Sequence, residues 1–445
     1  MRLLKIKIIA LVLLTSSISF AQLPSKVLVG YWENWGTLRL KDVDDRYNIL
    51  CLAFLEADKN FIKTDNKISD LEFDPNNNNG LKNDIPIVQA EGKKVLISIG
   101  GGNGSFRLNN ASDKNKFVTK VKEFITEYGV DGIDIDLEQK EYVCAVNNSA
   151  AKINNPTDIH ITNLIDGIKD IMEWYQNKYG KKMILTMAPE TAYVNGGLSS
   201  WAVNNICGGH YLAIIEQLRD ELDLLMVQLY NSGSILDLNG KEHFENSVDF
   251  VISATETIIR GFTAAGNKLG KYSGLPEEKV VVGLTTCASD EAVRSKSEII
   301  SIINYLTGKG PKPGSYTLKS YYPNLKGLMT WSINTDAGIS TKKSCNPSVS
   351  YEFAQAFEDI YGTIKNSVES LQMKSIEVFP NPTTQILTIN SENLIGKKFT
   401  LININGKVVF TFKPTEKLTK VDLSKYSKGI YTLKSENHLS KVIVK

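Results

Sequence analysis

Asp131-Gly-Ile-Asp-Ile-Asp-Leu-Glu138 is a stretch in which acidic and aliphatic residues alternate. This alternation predicts a β-strand, because successive side chains of a strand point to opposite faces. One face then carries Asp134, Asp136 and Glu138, and the other carries aliphatic side chains. Neighbouring buried carboxyl groups push their pKa values apart, so one site can hold an acid and a base at neutral pH.

Two other interpretations of this stretch are a calcium loop and an acidic edge strand that faces solvent. A calcium loop also spaces its acids by two, but it is polar between them and needs a turn glycine. The aliphatic residues between the acids here argue against such a loop. The rest of the chain argues against both alternatives.

Strand-like apolar runs recur along the chain and alternate with helical patterns. The predicted helices include 113–128, with Asp113 as its cap, and 158–179. Eight strands alternating with helices predict an α/β fold, a (β/α)8 TIM barrel. The predicted strands are 26–31, 48–54, 94–99, 131–137, 183–188, 223–230, 279–285 and 326–331.

A doubly wound sheet that binds a nucleotide is the alternative fold. It would be favoured if the glycine-rich run 100–104 were a phosphate loop. Ser105 stands where the third glycine of a dinucleotide fingerprint belongs, and no helix starts at once. In a barrel, these glycines simply allow the backbone to approach the site closely.

The carboxyl ends of the predicted strands carry both acids and aromatic residues. Tyr31, Phe54, Tyr230 and Trp331 all fall at such ends, as does Glu138. Because the active sites of barrels lie at this end, we expect these side chains to converge. Flat apolar walls beside carboxyl groups suit the faces of sugar rings, and paired carboxyl groups serve glycoside hydrolysis. The sequence therefore favours a carbohydrate site.

Over residues 26–362 the sequence resembles family 18 glycoside hydrolases. The resemblance rests on the DxxDxDxE pattern of 131–138 and on the SxGG pattern of 98–101. It rests also on Gln228-Leu-Tyr-Asn231, on Met329-Thr-Trp-Ser332 and on Met187-Ala-Pro-Glu190, which resemble small bacterial and plant class III chitinases. The resemblance implies a chitinase. The sequence shows no cofactor requirement, and no metal site is expected because no CxxC pair is present and the four histidines are far apart.

The resemblance also implies roles for four catalytic residues. Glu138 would protonate the glycosidic oxygen, and the substrate's own 2-acetamido group would attack the anomeric carbon, a recognised exception to two-carboxylate hydrolysis. Asp136 would orient that group, Asp134 would share a proton with Asp136, and Tyr230 would bond the acetamido carbonyl. The substrate-binding residues would be Tyr31, Phe54, Gly100, Gly101, Met187, Gln228, Asn231 and Trp331.

Three further expectations follow from the resemblance. Non-proline cis peptide bonds are expected at Ala53–Phe54 and Trp331–Ser332. The chain has only about 40 residues between strands seven and eight, where processive members insert a small domain, so we expect an open cleft and internal cleavage of chains. An endo-β-N-acetylglucosaminidase that cuts the chitobiose core of N-glycans, and a catalytically silent chitin-binding lectin, remain alternatives.

The ends of the chain indicate export. Residues 1–21 have the basic start, apolar run and small-residue end of a signal peptide, so we expect a secreted or surface protein. The net charge of +2 and the absence of any other long apolar run favour neither nucleic acid nor a membrane as a partner, and we expect a monomer. Of the five cysteines, Cys51 lies in an apolar run and is expected to be free, and Cys144–Cys207 and Cys287–Cys345 are possible pairs.

The composition changes after residue 362. Residues 22–362 are assigned to the catalytic barrel, 363–374 to a linker, and 375–445 to a small β-sandwich. This tail is rich in lysine, with 12 Lys against 6 acidic residues over 366–445, and has an Asn405-Gly406 hairpin turn. A chitin-binding or spacer module is one interpretation, but the tail lacks tryptophan. Its Pro380-Asn-Pro382 opening and Lys-rich last strand resemble the sorting domain of type IX secretion, whose machinery would be its partner.

Overall fold

A computed structural model describes residues 23–57, 71–72, 80–362, 376–391, 394–403, 408–435 and 438–445. The predicted signal peptide (1–21), the predicted linker (363–374) and the predicted turn at Asn405-Gly406 lie outside the described residues. The chain divides into two compact units, Met1–Asn366 and Ser367–Lys445. No helix among the described residues is long and apolar enough to cross a membrane.

The larger unit contains a barrel of eight parallel strands within the described residues. The strands are β1 (Val27–Glu33), β2 (Ile49–Ala57), β3 (Lys94–Gly100), β4 (Gly132–Asp136), β5 (Ile184–Met187), β6 (Leu224–Leu225), β7 (Val281–Thr285) and β8 (Gly327–Trp331). They are ordered β7-β8-β1-β2-β3-β4-β5-β6. Parallel bridges from Leu225 to Val280 and from Gln228 to Gly283 join β6 back to β7 and close the barrel. The predicted (β/α)8 fold is therefore confirmed.

Helices follow the strands around the barrel. The principal ones are α1 (Leu81–Ala90), α2 (Ala111–Tyr128), α3 (Ile159–Tyr179), α4 (Leu212–Gln217, a short one), α5 (Val248–Arg260), α6 (Lys296–Leu306) and α7 (Glu352–Tyr361). Short helical turns span Leu40–Asp42, Gly101–Gly104, Lys140–Val143, Thr191–Val194, Asn195–Leu198, Ser200–Asn205, Ala265–Asn267, Glu277–Lys279, Ile333–Asp336 and Lys343–Cys345. Strand pairs Ser234–Leu236 with Glu242–Phe244, and Phe262–Ala264 with Gly270–Tyr272, form small hairpins. The two-residue strand Leu71–Glu72 pairs with β2.

The start of α2 corrects one prediction. Asn110, not Asp113, caps this helix, and its side chain accepts a hydrogen bond from the Asp113 backbone N–H at 3.0 Å. Asp113 lies in the first turn, where its negative charge suits the helix dipole. Helix α3 begins after Asp158, whose side chain caps it by accepting from the backbone N–H of His160.

Apolar side chains form two layers, one inside the barrel and one between the barrel strands and the helices. Alternate residues of each strand point into the barrel or outwards against the helices, as a period of two requires. In and beside β5, Ile184 and Ala188 belong to the interior layer, whereas Leu185 and Met187 belong to the layer under the helices. Towards the carboxyl ends of the strands, the interior layer includes the aromatic residues Tyr31, Phe54 and Trp331.

The covalent and backbone details follow the predictions. Disulfides join Cys144 to Cys207 and Cys287 to Cys345, and Cys51 is free and buried. The peptide bonds Ala53–Phe54 and Trp331–Ser332 are cis. Residues 286–326, all of which are described, contain α6 and no strand, so no second sheet is inserted between β7 and β8.

The smaller unit consists of two antiparallel sheets, as the predicted β-sandwich requires. Its strands are β9 (Val378–Phe379), β10 (Ile386–Asn390), β11 (Phe399–Asn403), β12 (Val408–Phe412), β13 (Leu418–Asp422), β14 (Gly429–Ser435) and β15 (His438–Val444). One sheet has the order β9-β10-β13 and the other β12-β11-β14-β15. Leu387 and Ile389 from the first sheet share one buried core with Phe399, Leu401 and Leu433 from the second.

Candidate active site

The acids of 131–138 separate into one anchor and one row. Asp131 precedes β4, where its carboxylate accepts hydrogen bonds from the Val95 backbone N–H at 3.1 Å and the Gln89 amide at 2.9 Å. Asp134 and Asp136 are buried in β4, and Glu138 follows two residues after the strand ends. Asp131 therefore anchors the strand, and the other three acids form the candidate active site.

Asp134 lies at the bottom of the row and is surrounded by hydroxyl groups. Tyr31 and Ser98 donate to its Oδ2 at 2.7 and 2.8 Å, and Thr186 donates to its Oδ1 at 2.5 Å. Burial raises the pKa of Asp134, and these three donors oppose that shift because they favour the carboxylate. The three donors come from β1, β3 and β5, so the barrel itself holds this carboxyl in place.

Gln228 ties the upper two acids together. Its Nε2 atom lies 2.9 Å from Asp136 Oδ1 and 3.3 Å from Glu138 Oε1. The same nitrogen lies 3.0 Å from the Ala188 carbonyl oxygen, which fixes the orientation of the amide. The two carboxyl groups therefore share one donor, and each contributes to the electrostatic field of the other.

The pKa values of this pair are strongly perturbed. Burial, together with the charges of Glu138 and Asp134, raises the pKa of Asp136 well above its usual range. Burial and the charge of Glu190 raise the pKa of Glu138 to about 7. A carboxyl with such a pKa retains a proton near neutral pH, as a general acid requires.

Glu190 is a site residue that the sequence analysis did not select, although its motif was noted. It follows β5, and its carboxylate accepts a 2.7 Å hydrogen bond from the backbone N–H of Gln139, the residue after Glu138. Gln139 has a left-handed φ of 70°, and the Glu138 backbone N–H donates to the Ser105 hydroxyl at 2.8 Å. Glu190 and Ser105 therefore fix the backbone on which the acid stands.

Aromatic rings form one wall of the site. Phe54 and Trp331 are stacked, with ring centroids 5.4 Å apart and planes 13° apart. The Tyr31 ring lies 5.7 Å from that of Trp331, and the Trp35 ring, which is 38% exposed, lies 6.2 Å from it. Three of the four predicted aromatic residues, Tyr31, Phe54 and Trp331, are thus brought together, and Trp35 extends them.

Gly100 and Gly101 are required where the chain passes the acids. A Cβ atom on Gly100, whose φ is 114°, would lie 2.4 Å from the Asp136 carbonyl oxygen. A Cβ atom on Gly101, whose φ is 75°, would lie 2.7 Å from the Phe54 ring. Both positions exclude any larger residue, because left-handed backbone and close approach coincide there.

Tyr230 and Asn231, which follow β6, differ in burial. Tyr230 is buried, and its pKa is raised well above the usual range by burial and by the charges of Asp136 and Glu138. Its hydroxyl therefore stays protonated and can donate a hydrogen bond. Asn231 is exposed and has a left-handed φ of 52°.

Met187 does not fit the substrate-binding role predicted for it. Its side chain is completely buried in the layer between the barrel and the helices, on the face opposite to Thr186. Met226 instead lies in the interior layer, two residues before Gln228 and four before Tyr230. The period of two along this segment is the signal that distinguishes the two methionines.

Across the described residues, no group of three or more His, Cys, Asp or Glu side chains is placed to hold a metal ion. The acids of the row are instead bound by hydroxyl and amide donors.

A (β/α)8 barrel with a row of buried acids and an aromatic wall at the carboxyl ends of its strands defines a glycoside hydrolase. The family model of glycosyl hydrolases family 18 matches residues 27–346, and the chain belongs to that family. Residues 377–445 match the model described as a secretion system C-terminal sorting domain, which marks the chain for secretion.

Similar proteins share the barrel. The chain is 35% identical over 323 residues to Chitinase Chi52 of Paenibacillus xylanexedens, covering 70% of this chain and 59% of that protein. It is 37% identical over 337 residues to Exochitinase 1 of Streptomyces olivaceoviridis, covering 71% and 54%. A crystal structure of a family GH18 chitinase from Chromobacterium violaceum superposes with a TM-score of 0.62 at 30% identity, covering 76% of this chain and 83% of that one. The match therefore spans less than two thirds of those two sequence relatives.

Proposed function

We propose that this protein is a secreted chitinase that hydrolyses β-1,4-linked N-acetylglucosamine polymers. The observation that carries the proposal is Glu138, whose pKa of about 7 suits a general acid and whose carboxyl shares the Gln228 amide with Asp136. The names of the relatives support chitin as the substrate class.

The reaction would retain the anomeric configuration by using the substrate as its own nucleophile. Glu138 gives its proton to the glycosidic oxygen as the bond from that oxygen to the anomeric carbon breaks. The carbonyl oxygen of the 2-acetamido group forms a bond to the same carbon. Water then attacks this carbon, its proton returns to Glu138, and the acetamido group is released.

The remaining acids support this route better than direct attack by a carboxylate. Asp134 is held by three hydroxyl donors, and burial together with the charges of Glu138 and Asp134 raises the pKa of Asp136, which favours its protonated form. A protonated carboxyl is a poor nucleophile. As positive charge develops on the acetamido group, Asp136 passes its proton to Asp134 and stabilises the charge as a carboxylate. The proton returns from Asp134 to Asp136 when the acetamido group is released. The Tyr230 hydroxyl, which stays protonated, donates to the acetamido carbonyl.

Cleavage inside the polymer is the proposed mode of action. The short connection between β7 and β8, with one helix and no inserted sheet, supports a low groove wall and free access for internal parts of a chain. Because one relative is named Exochitinase 1, the test is chosen to separate internal cleavage from cleavage at chain ends. A fast fall in viscosity of a soluble chitin derivative, relative to the number of new reducing ends, is the expected result.

The two units divide the work in this proposal. Residues 22–362 form the catalytic domain and act as a monomer, 363–374 link the domains, and 375–445 engage the type IX secretion machinery. Residues 1–21 direct the first export step. The match of 377–445 to a sorting domain supports this division.

The test of the proposed function incubates the purified protein with chitin oligosaccharides and with a high-mannose glycoprotein, and follows products by mass spectrometry. Release of chitobiose from the oligosaccharides is expected, with retained configuration by NMR. A glycoprotein left with a single N-acetylglucosamine would instead indicate an endo-β-N-acetylglucosaminidase. Binding without cleavage of either substrate would indicate a lectin.

A matched pair of variants assigns the chemistry to Glu138. Glu138→Gln should lower kcat/KM by roughly 10²–10⁴-fold, because proton transfer is lost. Glu141→Gln removes an exposed carboxylate three residues further along and should leave the rate unchanged. Equal effects of the two substitutions would remove Glu138 from the mechanism.

A further inference from the structure

The carboxyl group of Glu33 lies outside the row of acids and is not used by the proposed mechanism. Glu33 is the last residue of β1, and only 4% of its surface is exposed. Burial raises its pKa, so the group is placed there against an energetic cost. Its two side-chain partners within the described part of the chain, Ser332 and Trp35, are neutral.

One of those two partners belongs to the aromatic wall, and the other is the neighbour of a residue in that wall. The Ser332 hydroxyl donates a hydrogen bond to the Glu33 carboxyl, and the side chain of Trp35, whose one donor is the indole N–H, lies close enough to that carboxyl to lower its pKa. Ser332 directly follows Trp331. One buried carboxyl therefore connects the outer tryptophan to the backbone that carries the inner one.

The backbone N–H and carbonyl of Glu33 have hydrogen-bond partners of their own, so the carboxyl group is not needed to hold the backbone at this position. The Glu33 N–H donates to the Asn334 side chain at 2.9 Å, and the Gly36 N–H donates to the Glu33 carbonyl at 3.1 Å. Asn334 Nδ2 lies 2.1 Å from the position of a Cβ atom on Gly36, which shows how closely the two segments approach.

The two tryptophans differ in how strongly other groups hold them. Trp331 stacks on Phe54, and the backbone carbonyls of Trp331 and Ser332 both accept from the Thr286 hydroxyl, at 3.3 and 3.1 Å. Trp35 lies on the exposed turn after β1, where its ring contacts with Phe54 and Trp331 are tilted at 6.4 and 6.2 Å. Loss of the Glu33 carboxyl would therefore release mainly Trp35.

We propose that Glu33 is a positioning residue that holds Trp35 in line with Trp331 as one continuous sugar-binding surface, and so sets the preference for longer N-acetylglucosamine chains. This inference rests on the proposed chitinase function. Aromatic faces contribute through orientation as well as through area, so a freely rotating indole would lose part of its contribution to binding. A two-sugar substrate that reaches only the inner tryptophan would not depend on Glu33.

The experiment compares kcat and KM on an N-acetylglucosamine hexasaccharide and on a chromogenic disaccharide. Glu33→Ala should lower kcat/KM on the hexasaccharide by roughly tenfold, mainly through KM, and change the disaccharide value less than about twofold. Glu33→Gln keeps an acceptor oxygen and should recover part of the loss. Trp35→Ala should reproduce the selective loss.

A double variant decides whether Glu33 acts through Trp35. Glu33→Ala combined with Trp35→Ala should be no worse on the hexasaccharide than Trp35→Ala alone. Additive losses, or an equal loss on both substrates, would overturn the proposal and leave Glu33 a purely structural residue. If the wild-type protein cleaves neither substrate, the proposed function fails instead, so the two failures are distinct.

Discussion

The backbone N–H of Gln139 donates a 2.7 Å hydrogen bond to the carboxylate of Glu190, which places a second negative charge beside the candidate general acid. Glu190 is the charge that contributes most to the raised pKa of Glu138. The bond fixes the distance between the two carboxyl groups through the backbone. Glu190 thereby extends the pH range over which Glu138 keeps its proton.

Glu190→Gln should move the alkaline limb of the pH profile to lower pH. The substitution removes a charge that raises the pKa of Glu138, so the acid loses its proton earlier, by up to about one unit. A glutamine oxygen can still accept from Gln139, so the backbone should keep its position. The measurement is kcat/KM on a chitin oligosaccharide from pH 4 to 9.

Glu141→Gln serves as the control for that profile, because it removes an exposed charge nearby without touching the Gln139 bond. Its profile should coincide with that of the wild type. An alkaline limb that stays in place in Glu190→Gln would show that the Glu190 charge does not tune the acid.

Cys51 should resist alkylation in the folded protein. Its side chain is fully buried, and burial together with the charges of Asp134 and Asp136 raises its pKa well above the usual value. Since the thiolate is the reactive form, iodoacetamide should add nothing to the native chain. Mass spectrometry should find one label after denaturation without reductant and five labels after reduction.

The number of iodoacetamide labels before and after reduction also tests the two disulfides. Cys144–Cys207 and Cys287–Cys345 account for the four thiols that should appear only after reduction. Three labels in the denatured, unreduced protein would mean that one of the two bridges is not formed. A label on the native chain would place a thiol at the surface.

Removal of residues 375–445 should stop export after the first membrane. The two sheets of this segment share a core of their own, and the barrel unit is compact without them. We therefore expect the shortened enzyme to fold, to remain active and to accumulate in the periplasm of a host with type IX secretion. Cell fractions assayed for activity give the measurement.

The full-length Glu138→Gln variant, followed with an antibody, controls for effects of activity on export. It should appear outside the cell in the same amount as the wild type. Normal release of the shortened enzyme would rule out the sorting role of the tail.

Local patterns predicted most of the barrel but not every residue of its site. Alternation placed Asp134 and Asp136 on one face, because a period of two needs no information beyond the strand itself. Met187 was misassigned because its motif predicted a strand but did not show which side chains of that strand point into the barrel and which point towards the helices. Glu190 was missed since its partner, Gln139, is distant in sequence, and such contacts arise only when β4 and β5 pair.

The start of α2 shows the same limit at a smaller scale. Asp113 and Asn110 are both suitable caps by residue type, and the choice depends on backbone geometry. Asn110 has the extended backbone that a cap requires, and the Asp113 side chain bonds back to the preceding loop at 3.0 Å. Residue identity alone does not separate these two roles.

Glu138→Gln should stabilise the fold at neutral pH. The pKa of Glu138 is about 7 in the folded chain, above its ordinary value of 4.5. A raised pKa means that the folded state binds more protons between those two values, so its stability falls as pH rises through them. Glutamine does not titrate and avoids this loss, which amounts to roughly 1–3 kcal/mol above pH 7.

Denaturant titrations at pH 4 and pH 7.5 measure this effect. The difference in unfolding free energy between Glu138→Gln and the wild type should be larger at pH 7.5 than at pH 4, with the variant favoured. Glu141→Gln should show the same difference at both values, since its exposed side chain is not part of the row. A pH-independent difference for Glu138→Gln would mean that Glu138 titrates normally, and the assignment of this residue as a tuned general acid would then fail with it.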